Sequence, residues 1–303
     1  MNLRRRSGLS RPEVLVVLAL GALGAGFVLP AIGKARAASA REQCANNLKQ
    51  IGLASLKYGD DHGRALPPIR EGQGASILVS LLPYTDESKV GEALAASGKP
   101  WHDPANAKIV AKPLSFAQCP AAPKPDRVLE GKIGDNAFRA APTDYTAVPL
   151  ITEAIRDIFP PEHDRSTPLG GLGAATTGAR ANYSDITDGL SMTFLGVLEI
   201  ADKPNRWQAG KLTAIGDAMN GSGTWAANGL NAPRGYSWDG KSFPGPCAMN
   251  CSNSAAAYSF HEDGCNFVFA DGSVRFLKKD IDVWVFYAGL TRRGGELLTT
   301  NDF

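Results

Sequence analysis

Residues 14–33 read VLVVLALGALGAGFVLPAIG, twenty positions without a charge. As a helix rising about 1.5 Å per residue this run is roughly 30 Å long, the hydrocarbon thickness of a bilayer. A core helix of a water-soluble domain would show polar residues at helical spacing, and this run shows none. The pattern predicts a membrane-embedded helical half over residues 9–33. A secretory signal peptide is the alternative: its apolar region is about 7–15 residues, shorter than this one, and a small-residue site follows it, as Ala35-Arg36-Ala37 does here. The pattern then changes. In residues 34–58, KARAASAREQCANNLKQIGLASLKY, the positions Cys44, Leu48, Ile51, Ser55 and Tyr58 recur at spacings of three and four. That spacing marks one face of an amphipathic helix, predicted over residues 34–59 and stopped by Gly59 and the polar run after it. The two halves read as one continuous helix.

Beyond residue 60 the periodicities are short. ASILVSLLPYTDESKVGEAL, residues 75–94, reads as helical pieces broken at Pro83, and residues 109–116 as a short strand. The Gly-rich stretch 169–178 reads as a loop. Residues 193–200 are apolar and β-prone after the turn signal Asp188-Gly189. Trp207, Trp225, Tyr236 and Trp238 sit in Gly/Asn-rich sequence and read as rings covering a small sheet, with a binding patch as the alternative. The clearest strand signal is the last: 266–270 and 273–277 are β-prone runs flanking Asp271-Gly272, which predicts a hairpin over 266–277 with a two-residue type I′ turn. The expected fold class is α+β: a long N-terminal helix packed on a loop-rich, mainly antiparallel β domain, residues 60–303.

Composition adds two facts. The 33 glycines and 20 prolines in 303 residues exceed their usual combined share of about 12%, as expected of short strands joined by many turns. The formal net charge is +2, and the basic excess lies in Arg4, Arg5 and Arg6 of an eight-residue segment with no acid. That segment reads as a targeting leader rather than a nucleic-acid patch, and no nucleic-acid partner is expected. Basic residues before an apolar helix keep that end cytoplasmic.

Gly8 precedes Leu9, and Glu13 stands five residues beyond Gly8 at the border of the apolar run, where a carboxylate is costly and tends to be functional. With Pro30 inside the run, this arrangement resembles the class III leader of type IV prepilins and type II secretion pseudopilins. The resemblance implies a leader of residues 1–8, cut by a prepilin peptidase between Gly8 and Leu9 with methylation of the new N-terminus. It implies that Glu13 pairs with a neighbouring subunit's N-terminus, and that Pro30 kinks the helix. Leu9-Ser10-Arg11-Pro12 stands where that family usually has a Phe-Thr-Leu-Ile entry. Over nearly its whole length the chain also resembles a bacterial family of unknown function that joins such a leader to a closing His-x9-Asp-Gly signature, here His261 to Asp271-Gly272. Other matching segments are Cys44-Ala45-Asn46-Asn47-Leu48-Lys49-Gln50-Ile51-Gly52, Leu82-Pro83-Tyr84, Cys119-Pro120 and residues 185–199. The implied role is a non-enzymatic, membrane-anchored pilin-like subunit. It would be single-pass in the bacterial inner membrane, with a cytoplasmic N-terminus, an exported domain, and other pilin-like subunits as partners in a type IV pilus-like or type II secretion-like system. The family's loose link to solute-binding proteins gives the alternative: a tethered solute- or glycan-binding protein that uses the leader only for export.

No Gly-x-Ser-x-Gly, His-Glu-x-x-His or phosphate-binding Gly-x4-Gly-Lys-Ser/Thr motif occurs, and no enzyme is expected. In an oxidising compartment paired cysteines usually bridge, which suggests Cys44 with Cys119 and Cys247 with Cys251, leaving Cys265. The zinc alternative is Cys247-x3-Cys251-x9-His261-x3-Cys265. His261 reads as a structural lock bonded to the hairpin turn at Asp271, or else as part of an oxygen-rich calcium cluster with Asp263, Asn266 and Asp271. No cofactor is favoured.

Overall fold

A computed structural model describes residues 11–68, 70–71, 75–124, 127–148, 181–216, 218, 221–227, 229, 233–292, 294–295 and 298–303, with the side chains of 17–28 and 70–71 left out of the description. The leader, with Gly8 and Leu9, and the loop expected at 169–178 lie outside these residues.

Helix α1 runs from Arg11 to Asp61, 51 residues and roughly 75 Å, with Glu13 in its first turn and Pro30 inside it. Its two halves differ in surroundings. Cys44, Leu48, Ile51, Ala54, Ser55 and Tyr58 are buried, whereas Val14, Leu15, Val16, Leu29 and Ile32 are exposed. The hydroxyl of Ser55 does not break the apolar face, because it donates to the Ile51 carbonyl at 2.9 Å. The helix passes through Gly59, the expected stop. A Cβ there would lie 2.7 Å from the Tyr183 ring, so that glycine permits a close approach. The chain turns out instead at Gly63, φ +63°, and the Arg64 N–H returns to the Gly59 carbonyl at 2.7 Å. Among the described residues no helix is long and apolar enough to cross a membrane. Most of the uncharged run of 14–33 falls in 17–28, whose side chains are not described.

After α1 the strands β1 (Arg70–Glu71) and β2 (Ala75–Ser76) pair briefly. Helix α2 (Ile77–Leu81) is capped by Ser76, a single 3-10 turn over Leu82–Tyr84 takes Pro83, and α3 (Ser88–Ser97) ends on Gly98 in the left-handed region. This is the expected helix broken at Pro83. The strand expected at 109–116 is not formed. Asp103 caps the turn Pro104–Asn106, which leads into the short helix α4 (Ala107–Val110). The N-cap and the proline override the β-branched residues that follow.

Strands β3 (Leu129–Ile133) and β4 (Asn136–Ala140) form a separate hairpin. The central sheet contains β5 (Tyr145–Ala147), β6 (Phe194–Glu199), β9 (Gly264–Phe269) and β10 (Val274–Lys278), in the order β10-β9-β6-β5 and antiparallel throughout. The peripheral pair β7 (Arg206–Gln208) and β8 (Lys211–Ala214) and the helix α5 (Val283–Ala288) complete the elements. The β6–β9 register shifts between Phe194 and Leu198, where Gly196 has φ +84°.

Every residue of β6 and β9 is buried, so both sheet faces are covered. Leu195, Val197 and Val268 pack with Leu48 and Ile51 of α1. On the other face Phe194, Leu198, Phe267 and Phe269 pack with Phe286 and Leu290. Trp225 is fully buried in the α1-side core and Tyr236 is buried near Cys247, whereas Trp238 is exposed.

The closing hairpin has a different turn from the one expected. Asp271 is not among the positive-φ residues, whereas Gly272 has φ +76°. The Gly272 N–H donates to the Phe269 carbonyl at 2.9 Å, and Phe269 N–H to the Ser273 carbonyl at 2.8 Å. This is a three-residue connection, a type I turn followed by a left-handed residue, rather than a type I′ pair. The Asp271 carboxylate favours it by accepting the Ser273 N–H at 2.8 Å. Gly272→Val is expected to destabilise the chain by about 1–3 kcal/mol, the range for a branched side chain forced to positive φ. Thermal melts of the full chain in detergent check this, and an unchanged melting temperature would contradict the turn assignment.

Candidate functional site

The segments singled out in the sequence meet where α1 crosses the sheet. Cys44 on α1 is joined by a disulfide to Cys119, as Cys247 is to Cys251. Three residues along α1, Asn47 donates to the Gln118 carbonyl at 2.8 Å. Lys49 donates to the Gly272 carbonyl at 2.8 Å. At Gly52 a Cβ would stand 2.9 Å from Val268 Cγ2 and 3.1 Å from the Gly272 Cα, so only glycine lets the helix reach the hairpin turn. From the sheet side, Asn266 Nδ2 donates to the Arg41 carbonyl at 3.2 Å. One helical face therefore carries a covalent bond, two side-chain clamps and a backbone contact. The disulfide lands on Cys119 and the Lys49 and Gly52 contacts on the Asp271-Gly272 turn, both in segments that matched in the sequence.

Beneath this contact lies a closed cluster. The thiol positions Cys44 and Cys119 and the side chains of Glu199 and His261 bring their ligand atoms within 4.8 Å of one another, and all four residues are buried. His261 Nε2 lies 3.4 Å from Cys119 Sγ and 4.0 Å from Glu199 Oε1. Glu199 ends β6, and alternation points it at α1. Burial pushes its carboxyl up to about 8, and the nearby Asp144 adds to the shift. A hydrogen bond from the Ser259 side chain opposes the shift more than Asp144 adds to it, although by stricter geometry neither carboxyl oxygen has a partner. Burial, with the positive charge of Arg41, pushes His261 down to about 4. Both shifts disfavour charge: the imidazole is held towards its neutral form and the carboxyl towards its acid form. Asp144 supports the cluster from behind: it accepts the Cys119 N–H at 2.8 Å and the Asp202 N–H at 2.9 Å, and pairs with buried Arg127 at 2.8 Å.

Several expectations are corrected here. His261 does not bond Asp271; it faces the Cys44–Cys119 disulfide, and Asp271 is engaged by Ser273. The set Cys247, Cys251, His261 and Cys265 is not gathered. Cys247 and Cys251 are bonded to each other, and Cys265 points to the opposite sheet face, where its thiol lies 3.3 Å from Asn250 Oδ1. Burial raises that thiol well above its usual range. The calcium set is not gathered either: Asp263 pairs with Lys279 at 2.9 Å, and Asn266 is turned to α1. Asn47, Lys49 and Glu199 fell within the matching segments but were given no role from the sequence, and Asp144 was not singled out at all. Glu199 alone left a signal, a carboxylate closing the otherwise apolar run of β6.

No curated protein and no solved structure matches the chain. A family match does exist, and it starts within α1 and takes in both the disulfide cysteines of the cluster and the closing hairpin. Residues 33–283, more than four-fifths of the sequence, match the family described as protein of unknown function (DUF1559), and the chain belongs to that family.

Proposed function

We propose that the protein is a membrane-anchored, pilin-like structural subunit, non-enzymatic and assembled with other subunits through the N-terminal half of α1. The observation behind this reading is the division of one helix. Its C-terminal part is fastened to the sheet by Cys44, Asn47, Lys49 and Gly52, while Val14, Leu15, Val16, Leu29 and Ile32 stand exposed. Exposed apolar residues along a helix call for lipid or neighbouring helices to cover them. The uncharged run of 14–33 has the length of a span, and Arg4–Arg6 fit a cytoplasmic leader. The proposed location is the bacterial inner membrane, single-pass, with the folded domain exported. A prepilin peptidase would process the chain at Gly8.

Processing and assembly are tested together in cells. The mature chain is expected to begin at Leu9 by mass spectrometry, and Gly8→Val to block the cut. Glu13→Leu is expected to leave insertion intact but to abolish crosslinking between subunits, since the pilin resemblance pairs this border carboxylate with a neighbour's N-terminal amine. A mature start near Ala37 would refute the leader, and unchanged crosslinking in Glu13→Leu would refute the pairing.

One feature favours the tethered-binding reading instead. An open cleft of about 620 Å3 lies beside α1, lined by Tyr58, His62, Tyr84, Lys99 and Trp101 among others. Rings with a few polar groups suit a small polar ligand or glycan. Saturable glycan binding that Tyr84→Ala abolishes, in a chain that forms no oligomer, would select this reading over assembly.

A further inference from the structure

We propose that Cys44, Cys119, Glu199 and His261 form a zinc-type metal site that opens when the Cys44–Cys119 disulfide is reduced, so that the helix–sheet junction is held either by the covalent bond or by the ion. This is independent of the filament reading.

The geometry of the cluster carries the proposal. Zinc bonds of about 2.0–2.3 Å in a tetrahedron place ligand atoms about 3.3–3.8 Å apart. Here Nε2 of His261 is already 3.4 Å from Cys119 Sγ and 4.0 Å from Glu199 Oε1, and all four ligand atoms lie within 4.8 Å. Two sulfurs, an imidazole and a carboxylate are a donor set that zinc accepts. The second observation is Glu199 itself. It is 0% exposed, it is aimed into the cluster, and among the described residues Ser259 is the one side chain near enough to hydrogen-bond it, with neither oxygen satisfied by strict geometry. Buried polar groups normally have partners, and an ion would supply one. The ligand positions are also braced from outside, since Asp144 accepts the Cys119 N–H and Asn47 ties α1 to the residue before Cys119.

The chemistry balances. A dithiol reductant gives two electrons and two protons to the disulfide; the S–S bond breaks, two thiols form, and the reductant becomes a disulfide. The divalent ion then displaces both thiol protons to solvent, and Glu199 and His261 bind as carboxylate and neutral imidazole, any proton they carry also passing to solvent. Oxidation by a disulfide of the same class expels the ion and restores the bond.

The test uses the full chain in detergent, reduced by a phosphine, desalted without oxygen and titrated with cobalt(II) in place of zinc. One cobalt per chain is expected, with a thiolate-to-cobalt charge-transfer band and ligand-field bands of tetrahedral intensity, both bleached by zinc. The oxidised chain should give neither band. Cys44→Ser should lose the charge-transfer intensity of one thiolate and bind more weakly. Glu199→Gln, which keeps the side-chain shape, and His261→Ala should each weaken binding at least about tenfold. The double variant Cys247→Ser/Cys251→Ser should bind as the wild type does. The proposal is overturned if the reduced wild type gives no bands, if Glu199→Gln and His261→Ala both bind unchanged, or if the bands depend on Cys247 and Cys251. Circular dichroism covers the case in which reduction unfolds the chain: metal that restores the native spectrum supports the site, and metal that does not overturns it.

Discussion

Cys44→Ser is expected to lower the stability of the oxidised chain by about 4 kcal/mol, the largest loss foreseen for a substitution. The Cys44–Cys119 bond closes a loop with a sequence separation of 75, and the chain-entropy cost of such a loop in the unfolded state is about 4 kcal/mol. The bond between Cys247 and Cys251 spans a separation of only 4. The same relation gives about 2 kcal/mol for Cys251→Ser. In a domain of this size the first change corresponds to a drop in melting temperature of roughly 10 °C, and the second to about half that. Differential scanning calorimetry of both variants decides the matter. Equal shifts, or a neutral Cys44→Ser, would mean that the helix is held by its packing and clamps alone.

The second large effect is a pH dependence set by Glu199 and His261. The Glu199 carboxyl has its ordinary value near 4.5 in the unfolded chain and about 8 in the fold. Below 4.5 both states are protonated and nothing is lost; between 4.5 and 8 the unfolded state releases a proton that the fold keeps, so stability falls as pH rises. His261 works the other way. It titrates near 6.5 unfolded and near 4 in the fold, so its contribution is complete above 6.5 and is lost as pH falls towards 4. From 4.5 to 6.5 the two cancel, because folded and unfolded chains bind equal numbers of protons at this pair. From 6.5 to 8 only the Glu199 effect remains, and stability is expected to drop by about 2 kcal/mol at about 1.4 kcal/mol per pH unit. Glu199→Gln removes that drop. Its advantage over the wild type should grow from pH 4.5 and reach roughly 5 kcal/mol by pH 8. Melting curves of both proteins from pH 4 to 9 check this; parallel curves would show that Glu199 is charged in the fold.

How much of this was legible from sequence can be seen at particular residues. The three- and four-residue spacing of Cys44, Leu48, Ile51 and Tyr58 forecast the buried face of α1, because helical geometry repeats whatever the helix packs against. Pro83 forecast the break between α2 and α3 for an equally local reason. The strand expected at 109–116 failed because a nearby cap and proline outweighed β propensity. The type I′ turn failed because Asp271-Gly272 is compatible with either connection, and the register of β9 against β10 chooses between them.

Both disulfides could be anticipated because an oxidising compartment was expected, where paired cysteines usually bridge, and five cysteines allow few sensible pairs. His261 could be picked out as a residue of consequence but not given its partner. Its neighbours Cys119 and Glu199 are 142 and 62 positions away, and no local pattern reports a distance of that kind. Nor could the sequence foretell that Glu199 would be uncharged, since a carboxyl's titration follows from the burial that the rest of the chain imposes on it. By itself, then, the sequence determined the local matters: a long helix with an apolar half and an amphipathic half, the breaks at proline and glycine, the closing hairpin and the membership of its family. Only the tertiary structure decided which residues meet under that helix, because strand alternation turns Glu199 and Asn266 towards α1 and Cys265 away from it, and a single crossing of helix over sheet then closes the cluster.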